Sequence, residues 1–211
     1  MSGEGEGSGP GRRPATERGR ATKRALLEAG EKLFGRVGYH ETSVADLTRE
    51  ADVGHGTFYL YFEGKKELFR DLIRHLSHEL RSTIARAVEG IEDRFEVERV
   101  GFETFFRFAL EHRDLYTVVH QAGAVDPELS RWYYRRLGEG YTEGLAEAAR
   151  EGQIRDLDPE AMAYCLAGMG HMMGMRWVLW EGEAPPESWM EDFMELLRHG
   201  LEPSPGPEEG R

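Results

Sequence analysis

From Leu68 onward the sequence places Leu72, Leu76, Leu80 and Ile84 at four-residue intervals. That spacing lines five aliphatic side chains along one face of a helix, and a strand of period two does not produce it. Ala25, Leu26, Ala29, Leu33 and Val37 recur at the same three- and four-residue spacing. No segment alternates apolar and polar residues as a half-buried strand does. The fold class read from the chain is therefore all-α.

The helix ends are also legible. A first helix starts at Thr16 or Glu17 and runs to Arg36, stopped by Gly38. Ser43 is a cap residue with Asp46 three positions on, the pattern of a capping box, and opens a short helix to Ala51. Gly54 precedes a third helix over 55–62, and the fourth opens near Gly64. Further helical patterns cover 95–112 and 114–121. Asp126-Pro127-Glu128 and Asp158-Pro159-Glu160 each put an Asp cap before a proline and an acid, which suits a helix start. These two helices are expected to end at Gly152 and to reach about Trp180. Pro185-Pro186-Glu187 begins the last one, which ends at Gly200.

Residues 42–69 thus read as two short helices joined by a tight turn, with a long helix behind them. That is the outline of a helix-turn-helix, whose second helix lies in the major groove of DNA. The net charge of −12 on 211 residues opposes this until it is divided. Residues 1–75 hold 13 Lys+Arg against 12 Asp+Glu, whereas residues 76–211 hold 14 against 27. A remote acidic domain matters little beyond a Debye length of about 8 Å. The division therefore supports a nucleic-acid-facing first third.

Ala51-Asp-Val53-Gly-His-Gly56-Thr57-Phe58-Tyr59-Leu-Tyr61-Phe62, followed by Lys65, Glu67 and Leu68, resembles the DNA-binding signature of the TetR family of transcriptional regulators. The resemblance covers about residues 20–75, and Gly54 and Gly64 stand where the family pattern often has Ser. It implies an N-terminal three-helix helix-turn-helix DNA-binding domain and a larger C-terminal helical ligand-binding and dimerisation domain. It also implies a homodimer on a palindromic double-stranded operator. By position, Thr57 and Tyr59 are candidates for base edges or methyls, with His55 and Gly56 close to DNA. Tyr61, Lys65, Thr42 and Ser43 are candidates for phosphates, and Arg12, Arg13, Arg18 and Arg20 for neighbouring phosphates or the minor groove. Phe58, Phe62, Ala51 and Val53 are assigned to the core. Half-buried packing is the alternative for Tyr59 and Tyr61, and a solvated pair with Glu63 the one for Lys66.

The remaining helices are rich in aromatic and methionine side chains. Such residues at helical spacing are most often plain core, but as a group they suit an adaptable apolar cavity. Within the resemblance that cavity holds a small effector, and Phe102, Phe106, Tyr116, His120, Tyr133, Cys165, Met169, Met173 and Arg176 are the candidate lining. Arg131, Arg135 and Arg136 beside Trp132-Tyr133-Tyr134 would suit an anionic effector such as an acyl-CoA thioester. A solvated face paired with Glu128 and Glu139 is preferred there. Gly170 and Gly174, with Trp177, Trp189 and Phe193, are assigned to a dimer interface resembling a four-helix bundle, with burial inside one subunit as the alternative.

No nucleophile has a base at a known motif spacing, so an enzyme is not expected, and neither is a cofactor. His75 and His78 read as surface histidines rather than a metal site. His171 and Arg176 interrupt the Gly-rich helix, which argues against a membrane span. Met1–Gly11 has no apolar core, so no signal peptide is expected, and the single Cys165 suits a reducing cytoplasm. The expected organisation is a Gly-rich basic arm over 1–15, a DNA-binding domain over 16–63, an effector and dimerisation domain over 64–201, and a tail over 202–211, with arm and tail lacking fixed structure. The function expected is a repressor released by a hydrophobic, aromatic or acyl-CoA-type effector. The competing reading is a small-molecule carrier with a degenerate DNA-binding domain.

Overall fold

The structure is a computed structural model that describes residues 16–200, the side chains of Leu115 and Tyr116 excepted. The expectations for 1–15 and 202–211, with Arg12 and Arg13, lie outside these residues. The helices follow in order as α1 (Glu17–Arg36), α2 (Val44–Glu50), α3 (His55–Phe58), α4 (Lys65–Ala87) and α5 (Arg94–Glu111). Then come α6 (Leu115–Val125), α7 (Pro127–Arg150), α8 (Pro159–Gly174) and α9 (Glu187–His199). Among the described residues there is no strand, and no helix is long and apolar enough to cross a membrane.

The caps stand where the residue types put them. Thr16 Oγ1 accepts the Gly19 N–H at 3.1 Å, and Asp158 accepts the Ala161 N–H at 2.9 Å with Pro159 in the first turn. Ser43 and Asp46 form the reciprocal capping box. Asp93, whose capping role the sequence reading omitted, accepts the Glu96 N–H at 2.8 Å and opens α5.

Two helices differ from expectation. The α-helical part of α3 stops at Phe58 instead of 62, and the chain goes on in tight turns through Leu60 N–H to Thr57 O and Tyr61 N–H to Phe58 O. Gly56, Thr57 and the aromatic residues after them are weak helix formers, which shortens the regular part. The helix from Pro159 is α-helical only to Gly174 and continues as π-helical turns over Met175–Glu181. Gly182, at φ +78°, and Glu183 both donate to Trp177 O and close the segment, and a left-handed φ of this kind is readily adopted by glycine.

The chain divides into two compact units. Among the described residues, one unit comprises 16–78 together with Asp114–Tyr134, and the other Glu79–Arg113 together with 135–200. Both boundaries within the long helices fall inside α4 and α7.

In the first unit Leu26, Phe34, Leu47, Phe58, Phe62, Leu68, Phe69 and Leu72 are buried. The apolar stripe of α4 supplies Leu68, Leu72 and Leu76 to this core. Gly30 lets α1 approach it: a Cβ there would stand 2.6 Å from the Leu68 side chain. Ala51 and Val53, expected in the core, are only half-buried, because the turn they flank lies at the surface.

Helix α6 belongs to this unit through polar contacts that no periodicity reveals. Gln121 Nε2 donates to Phe34 O at 2.8 Å, and its Oε1 accepts the Tyr39 N–H at 2.6 Å. Asp126, at the end of α6, is 3% exposed and accepts from Arg70 Nε at 2.5 Å. Lys66 Nζ lies 3.7 Å from the same carboxylate, so its partner is Asp126 rather than Glu63.

In the second unit Phe102 packs edge-on against Phe193 at 4.7 Å and beside Phe106 at 6.3 Å, all three buried. A Cβ on Gly170 would stand 2.6 Å from the Phe102 ring, so this glycine serves close packing within one chain. Gly170, Gly174 and Phe193, assigned from sequence to a dimer interface, are turned inward. The two glycine backbones and the Phe193 ring are used by the subunit's own core.

Candidate nucleic-acid interface

The α2–turn–α3 segment presents its polar side outward because Leu47 and Phe58 anchor its other side in the core. Phe58 and Phe62 are buried with ring centroids 5.5 Å apart, which fixes the roll of α3. His55, Gly56 and Tyr59 are then exposed, Tyr59 at 53%, and Thr57 and Tyr61 are half-buried. The His55 and Tyr59 rings meet edge to face at 5.5 Å. The turn itself relies on Asp52, which has a φ of 51°, a left-handed conformation that Asp tolerates better than most residues.

A polar cleft of about 410 Å³ adjoins this face, lined by Arg18, Thr22, Gly54, Thr57 and Tyr61 among others. Arg18 is exposed and has no ion-pair partner among the described residues, whereas Arg20 is paired with Glu17 at 2.6 Å. Ser43 is exposed, but its hydroxyl is engaged with Asp46 at 2.5 Å. That hydrogen bond leads the contacts that hold the Asp46 carboxyl below its ordinary range.

Two of the residues expected at phosphates are used internally. Thr42 is 2% exposed and its hydroxyl donates to Gly38 O at 2.8 Å, so the structure does not offer it to a ligand. Lys65 Nζ donates to Tyr39 O at 2.6 Å, Thr42 O at 2.7 Å and His40 O at 3.3 Å, and lies 4.3 Å from the Tyr39 ring centroid. Burial is the main cause of its lowered pKa, against the raising influence of Glu41. All three ammonium donors are spent on the α1–α2 connection, a use that its sequence position did not reveal. Thr22 was the contributor missed; it shares a helix face with Arg18 four residues earlier, and its hydroxyl donates to the Arg18 carbonyl at 3.0 Å.

The candidate effector residues fall in different places. Tyr133 is buried and belongs to the first unit, as does exposed His120; the side chain of Tyr116 lies outside the described residues. Burial is the main reason the Tyr133 hydroxyl titrates well above its ordinary range. In the second unit Phe102 and Phe106 are core, and Met173 is half-buried. Arg176 is paired with Glu181 at 2.5 Å. Cys165 and Met169 line a cavity of about 430 Å³. Arg136 pairs with Glu139 at 2.6 Å, in keeping with the solvated face preferred for it.

Trp177 and Trp189 contact each other at 5.1 Å. Trp189, Tyr164, Met172, Trp180 and Leu196 are exposed, from 38% at Leu196 to 59% at Trp180.

Comparison with known proteins agrees with the residues. Residues 26–72 match the family model described as bacterial regulatory proteins, tetR family. The chain is 27% identical over 191 residues to YdgC of Bacillus subtilis, an uncharacterised HTH-type transcriptional regulator, covering 88% of this chain and 95% of that protein. It is 27% identical over 205 residues to the HTH-type transcriptional regulator TtgR of Pseudomonas putida, covering 88% and 96%. Among solved structures, the transcriptional regulator FadR of Bacillus subtilis in complex with stearoyl-CoA superimposes with a TM-score of 0.76 at 18% identity, over 85% of this chain and 99% of that one.

Proposed function

Because the chain belongs to the tetR family of bacterial regulatory proteins, we propose that it is a homodimeric repressor that reads a palindromic operator through α3 and leaves it when a small effector binds. The observation that carries this reading is the outward face of α3. Phe58 and Phe62 hold the segment down while His55, Gly56 and Tyr59 stand free of the core. Aromatic edges and short hydroxyls suit thymine methyls, sugars and phosphate oxygens, and Arg18 in the adjoining cleft suits a phosphate.

The exposed Tyr164, Met172, Trp180, Trp189 and Leu196 favour a second copy as the partner of the α8–α9 face. Two recognition helices held in this way match half-sites about one turn of DNA, or a little more, apart. Stearoyl-CoA in the FadR neighbour favours an effector with an acyl chain. Helices α4 and α7 each have residues in both units, so a ligand that prefers one setting of the second unit shifts operator affinity as well.

The test is anisotropy binding to DNA from upstream of the protein's own gene, at matched salt, with wild type and Tyr59→Ala. Wild type binds one palindromic segment selectively, and affinity falls steeply with salt. Tyr59→Ala loses about tenfold, the equivalent of ~1.4 kcal/mol, with its helix content unchanged. Binding that is absent or indifferent to sequence, with and without acyl ligands, refutes the regulator reading and leaves the carrier.

A further inference from the structure

The second unit contains a cavity of about 430 Å³ where the N-terminal turn of α5, the α7–α8 connection, the first turns of α8 and the end of α9 converge. That volume is within the roughly 300–1,000 Å³ of small-molecule sites. Its interior is apolar, with Leu145, Ile154, Leu166, Met169 and Leu197 among the walls. Of the candidate effector residues whose side chains are described, only Cys165 and Met169 line it.

Its charge runs against its surroundings. After residue 75 the chain has 14 Arg and 27 Asp+Glu, so a wall taken at random would be acidic. The cavity instead has Arg94, Arg155 and Arg198 against the single carboxylate of Glu98.

The three arginines divide by surroundings. Arg94 is 12% exposed, ion-paired with Glu98, and its Nε has no partner. Gly144 makes room for it: a Cβ there would stand 2.8 Å from its Nη1. The Arg94 N–H also donates to Gln153 Oε1 at 2.8 Å, which ties the α7–α8 connection to α5. Arg155 and Arg198 are exposed and make no ion pair among the described residues; Arg198 lies 4.4 Å from the Phe95 ring centroid. A buried, neutralised pair at the wall and two unneutralised guanidiniums on exposed residues make a site with one wet anionic end and a dry remainder.

We propose that this cavity binds an amphiphilic anion, an acyl chain against the Leu and Met side chains with its anionic head at Arg155 and Arg198. Cations are repelled by the same groups, and a neutral alcohol of equal length gains the apolar contacts without the ion pairs. Placing the effector here rests on the regulator reading above. The binding does not, and it is measured without DNA, so a failure here is distinct from a failure to bind the operator.

Calorimetric titration of the full chain with dodecanoate, dodecanoyl-CoA, dodecanol and dodecylammonium, all below their micelle concentrations, decides the matter. The expected result is saturable binding of dodecanoate or dodecanoyl-CoA, the tighter of the two identifying free acid or thioester as the source. The double variant Arg155→Gln, Arg198→Gln weakens that binding about tenfold and changes dodecanol binding less than twofold. Cys165→Trp narrows the cavity from an exposed position and lowers affinity at least as much, with an unchanged far-ultraviolet spectrum. No saturable binding of either anion, equal binding of dodecylammonium, or an arginine double variant that binds like wild type overturns the proposal. The arginine variant changes exposed side chains only, so the outcome does not depend on Cys165→Trp folding.

Discussion

Replacing Lys65 by Met removes the ammonium and keeps the apolar stem, and two accounts of this residue predict different results. In the structure Nζ donates to Tyr39 O and Thr42 O at 2.6 and 2.7 Å and more weakly to His40 O at 3.3 Å. Hydrogen bonds to a charged group contribute about 1.5–3 kcal/mol, and a half-buried position counts for less than a buried one. Two short bonds, one long one and a cation–π contact of about 0.5–1 kcal/mol together make a loss of about 2–3 kcal/mol reasonable. For a chain of this length that lowers the melting temperature by roughly 5–10 °C. A lysine devoted to phosphate would instead leave stability unchanged and reduce the slope of log K against log salt by about 0.9 per subunit, about 1.8 for the dimer. Urea unfolding and a salt series of operator binding on the same variant separate the two. The structure predicts lost stability and, at temperatures where the variant is folded, an unchanged slope. A slope lower by about 1.8 with wild-type stability refutes the structural role.

Gln121→Ala leaves the Tyr39 N–H without its partner and removes the side-chain donor to the Phe34 carbonyl, which keeps the Gly38 N–H at 3.1 Å, and is expected to cost about 1–3 kcal/mol in urea unfolding. Asp126 gives a pH signature. Burial raises its pKa, but the Arg70 hydrogen bond, the Leu129 N–H and the charges of Arg70 and Lys66 outweigh it, so the folded value lies below the ordinary carboxylate range. Its contribution is therefore complete above the unfolded pKa of about 4 and is lost as pH falls through the lower folded value. Stability measured from about pH 6 down to about 2.5 should fall less steeply in Asp126→Asn than in wild type at the acid end. Asp52→Ala should destabilise by about 1 kcal/mol because Ala adopts a positive φ less readily than Asp, while Asp52→Gly should be neutral or stabilising by thermal melt.

Much of the helix-turn-helix segment was legible from the order of residues because its determinants are local. A capping box is set by Ser43 and Asp46 three positions apart, and α3 takes its orientation from Phe58 at its end and Phe62 in the turns just after it. The proline-led starts of α7 and α8 follow from the fixed φ of proline and the missing donor at a position where none is needed. The internal partners of Lys65 were not legible because the carbonyls of Tyr39, His40 and Thr42 are backbone atoms 23–26 residues away that leave no mark in composition or spacing. Thr42 was misread for a similar reason: a hydroxyl looks alike in sequence whether it faces solvent or Gly38 O.

The second unit shows the limit most plainly. Aromatic and methionine residues gave a helix its apolar side but not the identity of what meets it. Whether Phe102 lines a pocket or fills a core depended on Gly170 and Phe193, 68 and 91 positions later, closing on its ring. By itself the sequence determined an all-helical chain, the helix starts and the helix-turn-helix outline, since each depends on short-range periodicity, caps and turn chemistry. Only the tertiary structure decided that α6 joins the DNA-facing unit through Gln121, that Lys65 braces a loop, and that Arg94, Arg155 and Arg198 gather around one cavity. Those facts rest on contacts between distant segments, and such contacts exist only once the chain has folded.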